Sequence, residues 1–179
     1  ANAALRTARQ IGMANQMGVL SNDQLMEITG QEGAAGIASA SEMLTGLAHR
    51  MSYGGLGTAM SIAVAKKDKT GRFTGEVDQD IVDKIRSGGI SKDELLGLAR
   101  QKTRGKNAMI SYATQKDKLR SEMASAVGAE GIQMELQDLL GGRGWDNPDV
   151  TNLVSQRFGG DERTMKLLQT IGKNLGGIQ

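Results

Sequence analysis

The chain has 179 residues, enough for one sizeable core or a short array of repeated units. It has no cysteine and so needs no disulfide framework, and its one Trp, two Tyr and two Phe are too few for the ring-lined clefts that hold sugars or single-stranded nucleic acid. The net charge of +2 gives no overall electrostatic steer, and no run approaches the roughly 20 apolar residues that span a bilayer.

Apolar spacing, glycine stops and capping residues predict ten helices, at about 3–17, 22–29, 33–52, 56–66, 78–87, 92–103, 108–127, 131–140, 148–158 and 162–174. The chain opens on Ala-Asn-Ala-Ala inside the first of them, without a methionine or a secretory signal, and reads as a piece of a longer polypeptide. The longest apolar stretch, Tyr53 to Ala65, lies between Arg50 and Lys66 and is expected to be a buried helix.

Three junctions share one form. At Gly18 to Leu25 and at Gly88 to Leu95 a glycine ends one helix, and a capping box starts the next: Ser21 with Gln24, Ser91 with Glu94. Hydrophobic staples pair Leu20 with Leu25 and Ile90 with Leu95. The third junction, Gly159 to Met165, keeps only the cap, Asp161.

After the first junction Ile37, Ala40, Leu44, Leu47 and Met51 form one helical stripe; after the second, Met109, Tyr112, Lys116, Leu119 and Met123 repeat the spacing. Both long helices then meet a glycine break, at Gly54-Gly55 and at Gly128. The expected architecture is a compact all-α bundle of about ten helices in a single region, 1–179. Within it, residues 18–87 and 88–158 read either as two imperfect repeats of about 70 residues or as unrelated helix junctions that share the caps and glycines common to all such junctions.

Asp68-Lys69-Thr70-Gly71 has the residues of the phosphorylated aspartate motif of P-type ATPases. That nucleophile needs a parallel strand and magnesium ligands, so a tight turn between helices is expected instead. Two basic clusters stand out, one around this motif, Lys66, Lys67, Lys69 and Arg72, and one further along, Arg100, Lys102, Arg104 and Lys106. Each could grip phosphates, and side by side they would make a patch of eight charges. Solvated linkers are the plainer reading, because only Phe73 offers a nearby ring.

Asp78, Asp80 and Asp83 crowd a helix start without calcium-loop spacing and read as capping residues. His49 is the only histidine, which excludes a multi-histidine metal site and any triad using a second histidine. Carboxylates are plentiful enough for a two-carboxylate glycosidase, but nothing singles out a pair. Trp145, before the Asn147-Pro148 helix start, is a candidate partner anchor or a local core plug. Gly36 with Ala40, and Ala34 with Ala38, give the long helix smooth faces for close packing or association. No catalytic motif, cofactor site or metal site is expected.

The Gly/Ala/Met-rich stretch from Gly33 to Ala65, with Gly46-Leu47-Ala48-His49-Arg50-Met51-Ser52-Tyr53-Gly54-Gly55-Leu56-Gly57 at its centre, resembles helical segments of bacteriophage tail tape measure proteins and related large virion proteins; so does the capped junction Ile90 to Leu95. The resemblance covers about half of the chain and carries no catalytic residue across. It implies a non-enzymatic structural module of a virion tail, made in the host cytoplasm and packed against other virion proteins or copies of itself. The frequent glycine breaks disfavour a long coiled coil and point to a folded helical domain of such a protein. A peptidoglycan-cleaving helical domain of a phage tail protein and a DNA-binding module using the basic loops are the two alternatives.

Overall fold

The computed structural model describes residues 17–18 and 20–175, so the first predicted helix lies almost wholly outside the described residues. The described residues form eight α-helices and a two-stranded sheet: α1 (Asn22–Thr29), α2 (Gly33–Met51), α3 (Gly55–Ala63), β1 (Ala65–Lys67), β2 (Phe73–Val77), α4 (Gln79–Ser87), α5 (Lys92–Lys102), α6 (Lys106–Leu140), α7 (Pro148–Phe158) and α8 (Glu162–Thr170). A single π-helical turn, Ile171–Leu175, ends the last helix.

The helix starts form as their capping residues dictate. Ser21 Oγ accepts from the Gln24 amide at 3.1 Å, and Gln24 Oε1 accepts from the Ser21 amide at 2.9 Å. Ser91 and Glu94 repeat the exchange at 3.1 and 3.3 Å. Asp161 caps alone, accepting from the Thr164 amide at 3.0 Å. The four staple residues, Leu20, Leu25, Ile90 and Leu95, are all buried. Such caps are each worth about 1 kcal/mol and fix where short helices begin.

α6 is the organising element. It packs against α2, α3, α4, α7, both strands and the π turn. At the predicted break, Gly128 takes a non-helical backbone state that glycine tolerates, φ 50° and ψ −126°, and α6 is two helical segments that meet there at a kink. The main core gathers Ala40, Leu44, Leu47 and Met51 of α2, Met60 of α3, Val82 of α4, Leu95 of α5, Met123, Val127 and Ile132 of α6, and Phe158 of α7. The α2 stripe therefore faces the core as expected, with Ile37 packed at its edge.

The described residues are mostly helical, as expected, and the two strands are the departure from an all-helical chain. Residues 65–66, predicted as the end of a helix, belong to β1, which pairs antiparallel with β2 in the register Ala65–Val77 and Lys67–Phe73. Five residues of β2 oppose three of β1 across that span, and the bulge centres on Gly75 at φ 87°. A small second core, Ala65, Phe73, Ala108 and Leu119 with Ile62 and Tyr112 at its rim, seats the hairpin on the first half of α6.

That seating also corrects the second stripe. Met109 and Lys116 are exposed, and the buried line runs through Ala108, Ser111 and Leu119. The partner of this helix face is a strand backbone, so polar side chains do the packing: Ser111 Oγ accepts from the Phe73 amide at 2.9 Å, and Gln115 Nε2 donates to the Phe73 carbonyl at 2.6 Å.

Candidate functional site

Asp68-Lys69-Thr70-Gly71 lies between two strands, not between helices, and is the tip of the hairpin. Asp68 Oδ1 accepts from the Thr70 amide, the Thr70 hydroxyl and the Arg72 amide at 2.8, 2.6 and 3.1 Å. Gly71, at φ 86°, closes the three-residue loop. The Thr70 hydroxyl and the two amides hold the Asp68 carboxyl below its ordinary pKa. That oxygen is thus held by its own turn, as a tight-turn residue's is.

The hairpin brings the two basic clusters together. Lys102 Nζ reaches across to donate to the carbonyls of Ala63 and Ala65, each at 2.7 Å, while Lys67 Nζ donates back to the Lys102 carbonyl at 3.0 Å. Asn107 Nδ2 donates to the Thr70 carbonyl at 2.7 Å and ties the hairpin tip to the start of α6. Two of the eight cations are therefore fasteners. Burial lowers the Lys102 pKa, with Asp78 at 3.9 Å acting against it. The other six, Lys66, Lys69, Arg72, Arg100, Arg104 and Lys106, are exposed.

The two flanks of the hairpin differ in charge. On one side a shallow depression of about 610 Å³ is lined by Lys66, Lys67 and Lys102 but also by Asp78 and Asp80. On the other a small cleft of about 250 Å³ is lined by Thr70, Gly71, Arg104, Gly105, Lys106 and Asn107, with no carboxylate in its wall. The sequence between Leu95 and Lys116 contains no acidic residue at all. α6 also begins here without a side-chain cap, so its first amides add partial positive charge to the same place. The edge can hold several anionic oxygens at once. Phe73 is buried and Tyr112 half-buried, packed edge to face 6.3 Å apart, so it offers no open ring for stacking.

The remaining predicted residues lie elsewhere. Trp145 is half-buried against the main core. Asp78 caps α4 by accepting from the Asp80 amide at 3.1 Å, and Asp83 accepts from Gln79 Nε2 at 2.9 Å. His49 is exposed and stacks edge to face with Tyr53.

Sequence reasoning missed a buried ion pair. Arg157 of α7 donates through Nε and Nη2 to Glu135 Oε1 at 2.9 and 2.6 Å, and Nη2 also donates to the Gly54 carbonyl at 2.9 Å. The second oxygen of Glu135 is buried without a hydrogen-bond partner. Burial pushes the Glu135 carboxyl above its ordinary pKa despite the opposing pull of Arg157. The pair clamps the joint between α2 and α3. Its only sequence signal is that both residues fall on apolar helix faces.

A cleft of about 540 Å³ separates the α4–α5 junction from the end of α6, with Leu56, Ile85, Ile90 and Met134 among apolar walls and a Lys92–Asp138 ion pair on its rim. Among the described residues no helix is long and apolar enough to cross a membrane, and no group of three or more His, Cys, Asp or Glu side chains is placed to hold a metal. No protein-family model matches the chain, and no significant similarity links it to a curated protein or a solved structure.

Proposed function

We propose that this chain is a non-enzymatic helical module that binds the phosphate backbone of nucleic acid through the basic edge formed by the hairpin and the start of α6. The observation that carries this reading is the fastening of the two loops: Lys67, Lys102 and Asn107 spend their hydrogen bonds on backbone carbonyls, and six further cations on the joined segments are exposed. Backbone binding of this kind is dominated by counterion release and is steeply salt-dependent.

The test is titration of the 179-residue chain into a labelled 25-base-pair DNA, followed by fluorescence anisotropy across a salt series. If about four of the exposed cations meet phosphates, log K falls with log salt at a slope of about −3.6. Replacing Arg104 and Lys106 by alanine reduces that slope by about 2. A salt-independent affinity, or no binding at 50 mM salt, would overturn the proposal.

A second reading follows the resemblance to tape measure proteins: a structural module packed against other virion proteins or copies of itself. It is supported by the outer face of α2, where Ala34, Ala38 and Gly46 are exposed and a side chain added at Gly46 would meet nothing within 4 Å. The two-repeat organisation belongs with this reading. It is supported by a shared order of capped short helix, long helix and glycine bend after Ser21 and after Ser91.

A further inference from the structure

We infer that the nucleic acid held by this edge is double-stranded, and that the hairpin tip, Lys69 to Arg72, enters a groove while Arg104 and Lys106 hold the flanking phosphates. The inference rests on the backbone-binding reading above and adds the form of the partner.

Three features of the edge carry it. The first is the lack of a stacking platform. Single strands are held by base stacking on exposed rings, worth about 1–3 kcal/mol per base. Here Phe73 is 2% exposed and Tyr112 is half-buried against it, so neither presents a fully open ring. The second is shape. A two-stranded ribbon fits the major groove of B-form DNA, which is about 12 Å wide. The tip carries Lys69 and Arg72 on either side of Thr70 and Gly71, with no bulky residue between them.

The third is rigidity. The tip is fixed by four bonds: three to Asp68 Oδ1 and one from Asn107 to the Thr70 carbonyl. A preformed tip loses little entropy when it docks, which suits a duplex of regular shape better than a flexible strand.

The experiment compares the wild-type chain, a tip variant (Lys69→Ala with Arg72→Ala) and a flank variant (Arg104→Ala with Lys106→Ala). Each is titrated against a 25-base-pair duplex and against a 25-nucleotide single strand at 100 mM salt. All four residues are exposed, and circular dichroism of each variant checks that its helices persist. Wild type should prefer the duplex by tenfold or more. The tip variant should lose most of that preference, whereas the flank variant should weaken duplex and single strand by similar factors.

Equal or tighter binding of the single strand by wild type would overturn the inference while leaving the backbone-binding reading intact. So would a duplex preference that survives in the tip variant. Binding of neither form would overturn both.

Discussion

Glu135 illustrates how much can rest on one side chain. It is 1% exposed on α6, keeps one oxygen unpartnered, and meets Arg157 at the joint between α2 and α3. Because burial raises its pKa, the folded chain binds this proton more tightly than the unfolded chain does. The site's contribution to stability therefore falls as pH rises from the ordinary glutamate value of 4.5 through the higher folded value; below 4.5 the penalty for the buried charge is gone. Arg157→Ala would strand that charge, and removing one partner of a buried pair costs about 3–5 kcal/mol. We expect that loss at pH 8, and a smaller one at pH 4.5, which lies below the raised pKa, so that the unpaired carboxyl is mostly protonated. Urea unfolding of wild type and variant at the two pH values measures it. A loss of equal size at both would mean that Arg157 acts only through the carbonyls of Met51 and Gly54.

At the scale of elements, the packing of α2, α3 and α6 turns on glycine. A Cβ built on Gly57 would lie 1.7 Å from the Met51 carbonyl oxygen, and one on Gly131 would lie 2.9 Å from Met51 Cε. Gly46, on the outer face of α2, has open space. Gly57→Ala is therefore expected to destabilise the chain by more than about 3 kcal/mol, at or beyond the upper end for overpacking, because backbone must move to admit the methyl group. Gly46→Ala should stabilise it by up to about 1 kcal/mol through helix propensity alone. Thermal unfolding of the two variants reads the contrast, and a loss at Gly46 would show that its face is not free.

Helix starts were legible in the sequence because caps are local: a Ser with Gln or Glu three residues on settles a boundary without tertiary information. The hairpin was not. Ala65-Lys66-Lys67 continues the period of α3, and β2 places a glycine where a buried side chain is expected, so its alternation shows only Phe73 and Val77. The misassigned stripe follows from the same omission. Ser111 and Gln115 look like surface residues until a strand backbone lies against them, and Met109 looks like core until that backbone has taken the neighbouring face. The cations of the candidate site were legible by composition. Their adjacency was not, because it depends on the hairpin.

For the whole molecule the net charge conceals a division. Of the net +2, residues 63–75 and 95–116 together hold +8, which leaves −6 on the remainder. If the basic segments act as one edge, orientation rather than net charge governs the molecule's encounters with a charged surface. Two quadruple variants with identical net charge separate these effects. One removes Lys69, Arg72, Arg104 and Lys106 from the edge; the other removes Lys84, Arg86, Arg163 and Lys173, which are exposed on other elements. Each changes four cations to alanine and brings the net charge to −2. If the edge governs contact with a charged surface, wild type and the dispersed variant are both retained on a cation exchanger at pH 7, and the edge variant passes through. Retention that follows net charge alone would place the two variants together, and the basic edge would then be a collection of separately solvated side chains. The ordering of the three elution points thus reports on the charge division directly, with no nucleic acid in the experiment.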